Sequence, residues 1–114
     1  MTCYSQISEH VLSALNMTVI GYDLHEAFWK KHPKAKAPLL RWYGVTVVVN
    51  WRSLSDVRRV FATADQVCDC TVFNIYGNQY RLISKNDYRR QVVDVWFVLT
   101  HPEYDKGKWK DDCC

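Results

Sequence analysis

Apolar and polar positions divide this chain into short segments of differing period. Met17-Thr18-Val19-Ile20 reads as a brief β-strand. Upstream of it, Val11 to Leu15 could form a turn of helix. Asp23 and Glu26 have the spacing of a helix capping box. Leu24, Ala27 and Phe28 then follow helical spacing and should face a core, and Pro33 closes this first helix. Pro38 can open a second helix, with Leu40, Tyr43, Val47 and Trp51 near helical spacing. The β-branched run Val45-Thr46-Val47-Val48-Val49 favours a strand instead, so local propensity and spacing disagree there. Ser53 to Asp56 caps a short helix that places Leu54, Val57, Val60 and Phe61 on one side.

The second half of the chain changes period. Ala62 to Asp69 reads as loop, and Cys70 to Tyr76 as a strand rich in β-formers. Gly77-Asn78 is a hairpin signal, because glycine reaches the positive φ that a tight turn requires. Gln79 to Ser84 returns as a strand, and Lys85-Asn86-Asp87 marks another turn. Gln91 to Thr100 is a third strand, with Val93, Val95, Phe97 and Leu99 expected on one face. A strand, then helices, then three antiparallel strands make an α+β plan with no repeat and no long linker.

At 114 residues the chain has room for one modest core. Hydrophobic residues make up 48% and charged residues 24%, which suits a globular protein rather than a disordered one. No apolar run approaches the ~18–20 residues that span a bilayer. No Lys or Arg precedes Lys30, so a secretory signal with a basic start is not expected, and the expected location is cytoplasmic. The net charge of +3 permits a nucleic-acid partner without demanding one. Five cysteines, two of them adjacent at Cys113 and Cys114, argue against a disulfide framework. Reduced thiols are the expectation, with zinc shared by Cys68, Cys70, Cys113 and Cys114 as the lesser alternative.

The candidate chemistry lies in the last third. Arg81 sits within a strand beside apolar neighbours and needs a partner, since an unpaired buried charge is costly. A salt bridge to Asp94 or Glu103 would supply one. A phosphate would supply another, because the guanidinium is planar, always charged and able to hold two oxygens. His101, Tyr104, Asp105 and Lys106 follow the third strand within six residues. Cleavage of RNA by its own 2′-hydroxyl needs a base, cations around the pentavalent phosphate, and an acid for the leaving 5′-oxygen. His101 or Tyr104 could serve as base or acid, and Arg81 with Lys106 or Lys108 could supply charge, with no metal or other cofactor. Lys106, Lys108 and Lys110 surround Trp109, which fits either phosphate attraction with stacking or a solvated tail anchored by one Trp. Tyr76, Tyr80, Trp96 and Trp109 could stack on bases or pack in the core. Lys30, Lys31, Lys34 and Lys36 form a basic cluster that is either a solvated face or an RNA or ribosome contact.

The order Val72-Phe73-Asn74-Ile75, Gly77-Asn78, Tyr80-Arg81-Leu82-Ile83, then Leu99-Thr100-His101, Glu103-Tyr104-Asp105-Lys106 and Trp109-Lys110, resembles the HigB-type toxins of type II toxin–antitoxin systems. Phe28-Trp29-Lys30-Lys31-His32-Pro33, Pro38-Leu39, Trp42 and Trp51 match the same layout, so the likeness runs from about Met17 to Lys110. The resemblance implies a RelE-like α+β fold, an N-terminal strand and helices packed on a small antiparallel sheet. It decides for helix after Pro38. It implies that residues 1–16 are an extension, disordered or upstream of the true start, and that 17–114 form one toxin domain. The implied activity is ribosome-dependent cleavage of mRNA. The implied partners are a HigA-type helix-turn-helix antitoxin, mRNA on the ribosome, and operator DNA through the antitoxin only. Carried over by position, Arg81, His101 and Tyr104 become the catalytic candidates. Asn74, Asn78, Tyr80, Lys106, Lys108 and Lys110 become RNA-binding candidates, and Asp105 is a matched residue. A catalytically inactive antitoxin-binding relative and a RelE-fold toxin with a non-RNA target are the alternatives. The Cys113-Cys114 end and the apolar, acidic Asp94-Val95-Trp96-Phe97 stretch depart from the family pattern.

Overall fold

The computed structural model describes residues 16–114. The expected N-terminal extension lies, up to residue 15, outside the described residues. The elements in chain order are β1 (Thr18–Ile20), α1 (Tyr22–Lys31), a 3-10 turn (Pro33–Ala35), α2 (Lys36–Thr46), α3 (Leu54–Val60), β2 (Asp65–Val67), β3 (Cys70–Ile75), β4 (Tyr80–Asp87), β5 (Val92–Thr100), α4 (His101–Lys106) and α5 (Lys110–Cys113). They build the expected α+β fold around one five-stranded sheet of order β1-β5-β4-β3-β2. β1 runs parallel to β5, and every other pairing is antiparallel.

Alternation along the strands splits the interior into two layers. Phe73, Ile75 and Leu82 join Phe28 of α1, Leu39 and Trp42 of α2, Trp51 and Val57 in the larger core. Their strand neighbours Cys70, Val72 and Ile83 point the other way and pack with Trp109 and Cys113 of the C-terminal segment. The short helices α4 and α5 thus cover part of the sheet face opposite α1–α3.

Several boundaries differ from expectation for identifiable reasons. α1 is capped by Gly21, with Asp23 in its first turn, so the capping box at Asp23 does not form. Gly21 has φ +96°, and a Cβ there would stand 2.6 Å from the Val95 carbonyl oxygen, so glycine alone fits this entry to α1. His25, not Ala27, joins Phe28 on the buried face. The second helix forms but ends at Thr46, whose hydroxyl donates back to the Trp42 carbonyl. Its buried residues are Leu39, Trp42 and Thr46, and the β-branched run beyond leaves the helix. In α3, the Ser53 hydroxyl accepts from the Asp56 N–H as expected, but Val60 is exposed. Asp65–Val67, expected as loop, pairs with β3. β4 continues through Lys85-Asn86-Asp87, which moves the turn to residues 88–91.

The largest correction falls on β5. Ile83 pairs with Phe97 and Ser84 with Val95, so Trp96 is an extra residue opposite no partner. Such a bulge exchanges the faces of the strand beyond it. Val93 and Val95 enter the larger core, whereas Phe97 and Leu99 pack in the second layer.

Candidate nucleic-acid site

β4 carries Arg81 on the face covered by the C-terminal segment, in register with Asn74 of β3 and Leu99 of β5. The residue is 8% exposed. Its guanidinium donates from Nη1 to the carbonyls of Asn78 and Tyr80, at 3.2 and 3.1 Å, and from Nη2 to the Asn78 Oδ1 at 2.6 Å. The turn between β3 and β4 therefore holds the cation in place. Tyr76 and Gly77, both at positive φ, bend the chain so that Asn78 reaches back. No carboxylate pairs with Arg81 among the described residues, and the expected bridge to Asp94 or Glu103 does not form. Asp94 instead accepts from the Trp96 indole at 3.1 Å. Glu103 accepts from the Thr100 backbone N–H at 2.9 Å.

α4 supplies the next groups. Thr100 caps it, with its hydroxyl accepting from the Glu103 N–H while the Glu103 carboxylate returns to Thr100. This capping box was legible in Thr-x-x-Glu spacing and escaped the sequence reading. Hydrogen bonding from Thr100 is the main cause that holds the Glu103 carboxyl below its ordinary range, with His32 and Lys106 adding to it. The box fixes the start of α4, where the His101 N–H also donates to the Gln79 carbonyl. The His101 Nδ1 lies 2.8 Å from the Asp105 carboxylate, one helical turn on. With Nδ1 carrying the proton, Nε2 is the basic nitrogen, and His101 is partly exposed.

Tyr104 ties the two elements together. The Arg81 guanidinium carbon is 5.0 Å from the centre of its ring. Trp109 stacks on Tyr104 at 5.0 Å with an interplanar angle of 13°, and its indole donates to the Tyr104 carbonyl. Trp109 is buried, so of its two expected roles it takes the packing one and anchors the C-terminal segment. Lys110 lies 5.8 Å from its ring centre. Lys106 and Lys108 line an open cavity of about 350 Å³ with Phe97, Leu99 and Trp109.

Not every candidate joins this site. Asn74 is exposed on the same face, cross-strand from Arg81. Asn78 acts through the hydrogen bonds that hold Arg81. Tyr80 points to the opposite face, where it meets Phe28 and His32 edge-on or tilted and stacks on Tyr76. Trp96 packs under the Lys85 ammonium, 4.0 Å from its ring centre.

The cysteines overturn the expectation of free thiols. Cys68 bonds to Cys114 and Cys70 to Cys113, so none of the four sulfurs is a thiolate available to zinc. The turn between β2 and β3 brings Cys68 and Cys70 to one end of the sheet, and α5 returns there from 43 residues away. The odd count misled because four of the five cysteines pair with one another. Among the described residues, no helix is long and apolar enough to cross a membrane.

No curated protein matches the sequence. A family model described as HigB toxin, RelE-like toxic component of a toxin-antitoxin system, matches residues 35–107. That span is more than half of the sequence, takes in Arg81, His101 and Tyr104, and agrees with the α+β sheet, so the chain belongs to the HigB toxin family.

Proposed function

We propose that this toxin is an mRNA endoribonuclease that stops translation by cleaving messages on the ribosome. Membership of the family makes it the toxic partner of an antitoxin. The antitoxin is read as a HigA-type helix-turn-helix protein, which would carry the complex to operator DNA in the cytoplasm.

The observation that carries the reading is Arg81. An arginine that is 8% exposed and has no carboxylate partner among the described residues is a fixed positive site without a counter-ion. Burial of such a charge is costly unless something negative completes it. Three of its five N–H donors are engaged by neutral oxygens, which leaves two for a phosphate.

In the proposed step, His101 Nε2 takes the proton of a ribose 2′-hydroxyl. The freed oxygen bonds to the adjacent phosphorus while the bond from phosphorus to the 5′-oxygen breaks. The products are a 2′,3′-cyclic phosphate and a 5′-hydroxyl, the latter protonated by Tyr104. Asp105 holds the imidazole, Arg81 stabilises charge on the phosphoryl oxygens, and Asn74, Lys106 and Lys108 line the approach.

Mapping new mRNA 5′ ends during translation, for the wild type beside Arg81→Ala, tests this reading. Ends inside reading frames that vanish in the variant are expected. Intact mRNA with normal growth would instead mark an inactive antitoxin-binding relative. Intact mRNA with growth arrest would mark a toxin with another target.

A further inference from the structure

We infer that a second, separate groove binds a nucleotide of the same RNA on the far side of the β3 edge. This rests on the ribonuclease reading for the identity of the RNA as message. The groove encloses about 480 Å³, within the ~300–1,000 Å³ typical of small-ligand sites. Its lining includes Lys34 from the 3-10 turn, Arg41 and Trp42 from α2, Asn74 from β3, and Tyr76 from the following turn.

Its chemistry is one-sided. The lining contains two cations and no carboxylate. Neither Lys34 nor Arg41 has an ion-pair partner among the described residues. Tyr76 is 48% exposed beside them, with its backbone at φ +55°. A large aromatic left in water next to unpaired cations suits a base with its phosphate: the ring stacks, the cations neutralise. Trp42 forms part of the wall, and its buried indole N–H has no acceptor among the described residues. A phosphorylated planar ligand answers both the exposed aromatic and the unpaired cations. An apolar peptide would leave the cations unused.

The position fits an RNA chain that continues from Arg81. Asn74 lines the groove and is the cross-strand partner of Arg81. β2 reaches only to Val72, so among the described residues β3 has no neighbouring strand on that side from Phe73 to Ile75. The open edge gives single-stranded RNA a path from the Arg81 face to the groove. The basic turn around Lys34 is thereby assigned to the nucleotide beside the cleaved one.

The test uses the full chain and a fluorescent 2′-O-methyl RNA heptamer, which 2′-hydroxyl attack cannot cleave. Anisotropy gives its affinity across a salt series for wild type, Lys34→Glu and Arg41→Glu, two exposed positions outside the proposed catalytic set. Each charge reversal is expected to weaken binding at least tenfold and to reduce the slope of log affinity against log salt by about 1. The Trp42 indole N–H signal in a nitrogen-15 spectrum is expected to shift as the heptamer is added to wild type. Unchanged affinity in both variants with an unmoved Trp42 signal would overturn the groove, even if the wild type cleaves mRNA. Loss of affinity in the variants with a shifted Trp42 signal would support it, even if the wild type cleaves no mRNA, and only the nuclease reading would then fall.

Discussion

The guanidinium of Arg81 rests 5.0 Å from the centre of the Tyr104 ring, although one belongs to a central strand and the other to a helix beyond the last strand. The contact makes Tyr104 both a wall for the cation and a candidate acid. Two variants separate these roles. Tyr104→Phe keeps the ring and removes the hydroxyl, so it should lower mRNA cleavage by ~10²–10⁴-fold with little loss of RNA affinity. Tyr104→Ala also removes the support of Arg81 and should weaken RNA binding as well. Cleavage at wild-type rate in Tyr104→Phe would leave the residue a positioning role only. Both constants come from single-turnover cleavage and binding on programmed ribosomes.

The two disulfides close almost the same loop, since their separations are 46 and 43 residues. Loop-closure entropy is therefore nearly the same for one bond as for both, and amounts to ~4 kcal/mol in the chain-entropy model. Replacing exposed Cys68 and Cys114 by Ser should cost little. Replacing all four cysteines should cost several-fold more and should loosen α5, and with it the stacking of Trp109 on Tyr104. Urea unfolding of the three forms checks the order. A four-Ser variant as stable as the wild type would show that the bonds are not needed to hold α5.

Much of this fold was readable because apolar spacing and caps act locally. The hairpin at Gly77-Asn78, the α3 cap at Ser53 and the central strands followed from adjacent residues. Trp96 could not be read this way: a bulge depends on the register of the neighbouring strand, so the alternation Val93, Val95, Phe97, Leu99 looked continuous. The cysteine pairing failed for the same reason, being set by where α5 docks. At the site, Arg81 stood out as a strand cation. That Tyr80 faces away from Arg81 followed from strand alternation, whereas the hold of Asn78 on Arg81 required the turn geometry.

Thr100 and Glu103 cap the helix that carries His101, so the cap should matter to stability and activity together. Thr100→Ala is expected to cost about 1 kcal/mol. For a chain of this size that lowers the melting temperature by ~4 °C. Because its carboxyl is held below the ordinary range, Glu103 contributes fully above its unfolded pKa near 4.5. That contribution is lost as pH falls through the lower folded value. Melting curves of wild type and Glu103→Gln should therefore differ at neutral pH and converge in acid. Curves that stay apart at all pH values would assign the effect to something other than the carboxylate.

His25 titrates in a different window. Its side chain is fully buried among Tyr22, Trp42 and Tyr43, and burial lowers its pKa from 6.5 to about 4. The folded chain keeps the imidazole neutral down to that value, whereas the unfolded chain takes up a proton below 6.5. Between the two, the unfolded state binds more protons, so stability is complete above pH 6.5 and declines toward pH 4. The slope contributed by one such group is at most about 1.4 kcal/mol per pH unit. His25→Phe fills the same aromatic setting without a titrating group and should remove that slope. Denaturant unfolding at pH 7, 6, 5 and 4 should show wild type losing stability relative to His25→Phe across the series. Parallel losses in the two proteins would mean that the acid sensitivity arises elsewhere.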